Sequence, residues 1–133
     1  MRLLLLALAL LTLGAGPDAD YKDSSTAISY SQLVEDFGYG IITVDGETLI
    51  VPAEFAQGYL PIMACESDFK TDAVSPTGCL GLMQLCKDSA MLKVITGMSY
   101  VWMDMLDAVA NVRVAAHWWT ITGRNWSHWE CKP

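Results

Sequence analysis

The chain has 133 residues, a formal net charge of −7, 53% apolar and 17% charged residues, and four cysteines. That length suits one domain, and the apolar share is enough for a packed core, so wholesale disorder is excluded. Eight lysines and arginines, scattered without a basic stripe, exclude a generic nucleic-acid binder.

Met1–Leu13 has the make-up of an export signal. Arg2 supplies the positive start, Leu3–Leu13 is apolar except for Thr12, and Gly14–Ala19 is rich in small residues. The apolar run is too short to span a bilayer, which takes about 20 residues. Residues 1–19 are therefore expected to be removed, leaving 20–133 as one secreted or periplasmic domain with no stable membrane insertion. Asp20–Thr26 reads as a polar lead-in, and Ile28–Phe37 carries a weak helical pattern closed by Gly38–Gly40. Within Ile41–Ile50, Asp45-Gly46 is a tight-turn signal between apolar pairs, giving a small hairpin or an irregular crossing.

Pro52 suits a helix start, and Phe55, Tyr59, Ile62, Met63 and Cys65 follow on one helical face, ending near Glu66–Ser67. Pro61 cannot donate to the carbonyl four residues back, so a kink or restart is expected near Tyr59. Lys70–Leu80 is loop-like. Asp88–Thr96 predicts a short helix stopped by Gly97. Asp107 predicts the cap of a longer helix through about Ile121, stopped by Gly123, with Val109, Val112, Ala116 and Trp119 on one face. Trp118, Trp119, Trp126 and Trp129 crowd the end of the chain, where core packing is the ordinary use of so large a residue and sugar stacking the functional one. The class is all-α, or α with a minor β element.

In an exported chain Cys65, Cys79, Cys86 and Cys131 can be oxidised, and four cysteines allow three pairings. One of them, Cys65–Cys79 with Cys86–Cys131, would brace the loop and pin the C-terminal segment. There is no Cys-x-x-Cys, and His117 and His128 stand apart from the cysteines, so no metal site is expected.

Chemistry concentrates in residues 62–85. Glu66 closes an apolar helix, a position where desolvation disfavours the charged form of a carboxyl and suits it to donate a proton. A turn-rich loop leads to Gly81-Leu82-Met83-Gln84. There glycine permits close backbone approach to a ligand, and the glutamine amide can both donate and accept. A solvated glutamate and a buried strand are the structural alternative.

The order Glu66-Ser67, Ala73-Val74-Ser75-Pro76-x-Gly78, Gly81-Leu82-Met83-Gln84 resembles the core motif of soluble lytic transglycosylases and goose-type lysozymes. Asp107-x-x-x-Asn111-Val112-x-Val114-Ala115-Ala116 is similar to a second helix of that family, and Gly123–Trp129 to the end of its small members. The resemblance implies a mainly α, lysozyme-like domain with at most a small β element. It implies peptidoglycan glycan strands as substrate, a monomer and no cofactor. It also implies Glu66 as catalytic acid/base supported by Ser67, substrate contacts from Ser75, Met83 and Gln84, and Asn111 holding the framework. The Ala-Tyr-Asn motif of larger transglycosylases is missing, so either Tyr100, the last tyrosine, fills the role of its tyrosine from another element or a compact subfamily does without it.

Most glycosidases need two carboxylates, whereas a transglycosylase needs one, because the sugar's own 6-hydroxyl attacks. Asp68 and Asp72 read as loop residues, and Asp104 and Asp107 as helix-start residues. The single-glutamate lytic reaction is therefore favoured over hydrolysis. A non-catalytic wall-binding or virion structural protein on the same scaffold is the rival of another class. A negative protein gains no electrostatic steering toward an anionic wall, so binding should rest on hydrogen bonds and groove contacts.

Overall fold

The computed structural model describes residues 38–132, all but the first of them in the compact unit Tyr39–Pro133. The expected export signal, the polar lead-in and the helix over 28–37 lie outside the described residues. The unit is mainly α with one small sheet, as the sequence predicts. In order come β1 (Tyr39–Val44), β2 (Glu47–Pro52), α1 (Ala53–Ser67), α2 (Ser89–Gly97), a 3-10 turn (Trp102–Leu106) and α3 (Ala108–Ile121).

The hairpin is the sharper of the two options left by the sequence. β1 and β2 pair antiparallel from Tyr39 opposite Pro52 to Val44 opposite Glu47. Asp45 and Gly46 form the two-residue connection with φ of +49° and +79°, the left-handed pair that matches strand twist. Alternation then sorts the faces. Ile42, Val44, Leu49 and Val51 are buried, while Ile41 and Ile50 are exposed. The buried face packs on α1 and α3, closely enough that a Cβ at Gly40 would meet that of Ala56 at 2.6 Å.

α1 runs through Pro61 as one helix, with no restart near Tyr59. Both Pro61 and Gln57, whose carbonyl loses its helical partner, lie on the exposed face, where water can satisfy the freed group. The buried stripe is Phe55, Gly58, Tyr59, Ile62, Met63 and Ser67, a helical periodicity with the core on one side. Cys65, assigned to that face from sequence, falls outside it. The helix ends at Asp68, left-handed at φ +53°, whose N–H reaches Ala64.

α2 and α3 both start at aspartate caps, the second as read from Asp107. Asp88 Oδ1 accepts from Met91 N–H at 2.7 Å, and Asp107 Oδ2 from Ala110 N–H at 2.9 Å. Asp104 caps the 3-10 turn by accepting from Val101 N–H at 2.8 Å. α3 is the central element. Ala108, Ala110, Asn111, Val112, Val114, Ala115, Ala116 and Trp119 are all buried, a wider face than the four-residue stripe the sequence suggested. Hairpin, 3-10 turn and α2 all pack against it, and its alanines allow that close approach.

Asn111 is the buried polar side chain of α3, fully shielded from solvent. Its Oδ1 accepts from Met83 N–H at 2.8 Å. Its Nδ2 donates to Leu80 O at 3.0 Å and Met105 O at 2.8 Å. Truncation would take this partner from the Met83 N–H and Met105 O, and leave Leu80 O only its bond from the Leu85 N–H. Asn111→Ala is expected to lower stability by about 3–5 kcal/mol, measured by equilibrium urea unfolding, against about 1 kcal/mol for loss of an ordinary hydrogen bond.

Candidate active site

Residues 70–86 form a compact loop built on backbone hydrogen bonds. Leu80 and Leu85 exchange both N–H···O bonds, at 2.9 and 3.0 Å, and Gly81–Gln84 make the turn between them. Gly81 N–H donates to Ala73 O at 2.8 Å. Ser75 Oγ accepts from Cys79 N–H at 3.0 Å and pairs with Thr77 Oγ1 at 3.1 Å. A Cys79–Cys86 disulfide closes the loop across this ladder. The other bridge is Cys65–Cys131. The pairing considered from sequence, Cys65–Cys79 with Cys86–Cys131, is thus replaced. The Leu80–Leu85 ladder brings Cys79 beside Cys86, and the C-terminal segment lies along the end of α1.

That segment is held on the turn as well. Trp129, buried, donates Nε1–H to Met83 O at 2.7 Å. Trp126 packs against Gly58 of α1, where an added Cβ would meet its ring at 2.9 Å, and stacks on Phe55 with ring centroids 5.3 Å apart. Of the clustered tryptophans, Trp119 and Trp129 are core residues, while Trp102, Trp118 and Trp126 are half-buried.

Glu66 is half-buried in the last turn of α1. Its Oε1 accepts from Cys131 N–H at 3.0 Å. It has no ion-pair partner among the described residues, whose one salt bridge joins Arg113 and Glu47 at 3.7 Å on the surface. Tyr59 and Met63 lie seven and three residues earlier, so at about 100° per residue all three fall within about 60° of one another around the helix. Tyr59 and Met63 line a cleft of about 270 Å³ together with Thr43, Val44 and Asp45 of the hairpin, Leu60, Phe69, Thr71, Leu82 and Ala108. Glu66 therefore sits one helical turn beyond the cleft wall.

The other candidates divide by burial. Ser67 is buried and donates Oγ–H to Met63 O at 3.0 Å, bonding its own helix. The Met83 side chain is wholly buried in the core, and the residue meets its neighbours through its backbone. Ser75 is engaged within the loop and Asn111 within the framework. Gln84 is half-buried, left-handed at φ +48°, and donates Nε2–H to Ala73 O at 3.1 Å and Gly81 O at 3.0 Å. Its Oε1 is the acceptor left over. Tyr100 packs at the core edge after α2 and is not among the cleft residues.

Sequence reasoning missed three cleft residues. Tyr59 was taken only as core, although its spacing of seven from Glu66 puts both on one face. Its ring lies parallel to Phe55, centroids 5.7 Å apart, and burial pushes its phenol up, so the hydroxyl stays a proton donor at neutral pH. Asp45 was taken only as a turn former. Phe69 is 54% exposed in a left-handed conformation, φ +60°, and no local pattern announces that.

With this geometry the comparisons fall into place. Residues 56–130 match the family described as Transglycosylase SLT domain. The chain belongs to that family. No curated protein and no solved structure matches the chain. SLT domains are peptidoglycan transglycosylases, and two disulfides fit an SLT protein exported to an oxidising compartment. No described helix is long and apolar enough to cross a membrane. No group of three or more His, Cys, Asp or Glu side chains poised for a metal occurs among the described residues.

Gly81 sets the height of the SLT turn. At φ +76°, an added Cβ would lie 2.2 Å from Met105 O and 2.4 Å from Asn111 Nδ2. Gly78 has φ +85° and nothing within 4 Å. Gly78→Ala is expected to cost about 1–2 kcal/mol, the backbone penalty alone, and Gly81→Ala about 2–5 kcal/mol because overpacking adds to it. Urea unfolding of both variants measures the difference.

Proposed function

We propose that the chain is an exported, monomeric lytic transglycosylase that cleaves the β-1,4 bond between N-acetylmuramic acid and N-acetylglucosamine. Glu66 acts as its single acid/base. The observation that carries this reading is the placement of Glu66: half-buried, one helical turn beyond the cleft wall on the same side of α1, with one carboxyl oxygen held by the Cys131 N–H. The leader over residues 1–19 would deliver the chain to the periplasm or beyond, where both disulfides form.

The chemistry balances on one side chain. Protonated Glu66 gives its proton to the glycosidic oxygen. The bond from that oxygen to the anomeric carbon breaks, and positive charge develops on the sugar ring. The same sugar's 6-hydroxyl closes on the anomeric carbon and returns its proton to the Glu66 carboxylate, leaving a 1,6-anhydro end and the enzyme as it began. No second carboxylate is required, because the nucleophile is already tethered to the reacting carbon. Asp104 and Asp107 are occupied as caps, and Asp68 and Asp72 are exposed.

In the cleft, Phe69 offers aromatic surface to a sugar ring, while Thr43, Thr71 and the Tyr59 hydroxyl offer hydrogen bonds. Met63, Leu82 and Ala108 give an apolar floor suited to an acetyl methyl. Contacts of this kind need no net charge. Gln84 Oε1 is the acceptor that the motif turn contributes.

One observation favours a second reading, hydrolysis by the same fold. Asp45 lines the cleft opposite α1, where a second carboxylate could activate water. Two variants separate the readings. Glu66→Gln is expected to lose at least about a thousandfold in muralytic rate with its melting curve unchanged, since the proposed general acid is gone. Asp45→Asn is expected to keep cleaving and to keep producing anhydro ends, read by mass spectrometry of digested peptidoglycan. Reducing-end products that vanish in Asp45→Asn would instead establish a lysozyme. Wild-type activity in Glu66→Gln would remove both.

A further inference from the structure

Glu66 is tied to the C-terminal segment twice over: Cys65, its chain neighbour, is disulfide-bonded to Cys131, and Glu66 Oε1 accepts from the Cys131 N–H at 3.0 Å. We propose that the Cys131 backbone amide is the positioning group of Glu66 and that the Cys65–Cys131 bridge holds it there, so that orientation of the acid depends on an oxidised bridge. The inference rests on the reading of Glu66 as the acid.

A backbone N–H can only donate. Glu66 Oε1 is therefore an acceptor whether the carboxyl is charged or neutral, and the transferable proton resides on Oε2. The terminal torsion of a glutamate is soft, with broad wells, so a carboxyl without this bond would present either oxygen to the substrate. The amide thus fixes which oxygen carries the proton and which way it faces.

The amide in turn has no helix or strand behind it. Residues 122–131 are turns and bends, held to the rest of the fold at Trp126 by packing on Gly58 and Phe55 and at Trp129 by its bond to Met83 O, while Lys132 Nζ ties the segment to itself through Trp126 O (2.8 Å) and Trp129 O. Beyond those anchors, the covalent link at Cys131 sets the distance to α1. One bridge thus connects the last turn of α1, the C-terminal segment and, through Trp129, the Met83 turn.

The test separates amide from bridge. Cys131→Ala and Cys131→Pro both open the bridge, but only the proline also removes the N–H. Rates are measured on soluble glycan strands at temperatures where fluorescence shows each protein fully folded. Expected is a fall in kcat with KM unchanged in Cys131→Ala, and a further fall of about tenfold to a hundredfold in Cys131→Pro, the worth of a hydrogen bond to a charged group. A second measurement covers variants that do not fold. In Cys79→Ser/Cys86→Ser, dithiothreitol gives two electrons and two protons to the Cys65–Cys131 bridge, yielding two thiols and cyclic oxidised dithiothreitol. There kcat is expected to fall on reduction and return on reoxidation.

Equal kcat in Cys131→Ala, Cys131→Pro and wild type would overturn the proposal, as would a reduced bridge with undiminished kcat. So would a change confined to KM, which would make the segment a groove wall only. If Glu66→Gln is inactive while these variants are unimpaired, this inference alone falls. If Glu66→Gln is active, the reading beneath it falls first.

Discussion

The site is seated on one buried carboxamide. Asn111 projects from the central helix and satisfies backbone groups from two separate loops, the 80–83 turn and the end of the 3-10 turn. Inside a protein such a group is costly if left unpaired and rigidifying when fully paired. Here both amide hydrogens and the oxygen are used. Gly81 sits directly against it, with no room for a Cβ. The position of the motif turn relative to α3 is thus determined by hydrogen-bond geometry, and the cleft inherits it through Leu82 and Ala108.

From the turn the constraint passes to Glu66 by a second route. Met83 N–H is fixed by Asn111, and Met83 O takes the indole proton of Trp129. The segment carrying Trp129 reaches Glu66 at Cys131. Ser67, Met83 and Asn111 therefore serve the architecture through buried atoms and Ser75 through bonds within its loop, which leaves one oxygen of Glu66 and Gln84 Oε1 without a partner among the described residues. Preorganisation of this kind is what a single-acid mechanism requires, since no second group corrects a misplaced proton.

Local signals in the sequence were enough for the elements that local physics decides. Asp107 announces its helix because a cap is satisfied within three residues, and Asp45-Gly46 announces the hairpin because two left-handed residues fit its turn. Glu66 and the 81–84 turn were legible as a spaced motif. What stayed hidden depends on contacts across the fold. The disulfide pairing follows from the Leu80–Leu85 ladder and from the path of the C-terminal segment, and neither has a sequence period. That Pro61 and Gln57 both face water also depends on the fold, not on their place in the sequence. Tyr59 was the recoverable miss, since the helix period that assigned it to the core also aligns it with Glu66.

The hairpin carries the last step. The family match begins at residue 56, after β2 ends, yet Thr43, Val44 and Asp45 form one wall of the cleft. The turn Asp45-Gly46 is rigid by its left-handed pair, and the strands behind it are fixed by burial of Ile42, Val44, Leu49 and Val51 on α1 and α3. The cleft thus takes one wall, and the carboxylate on it, from a segment that precedes the matched domain.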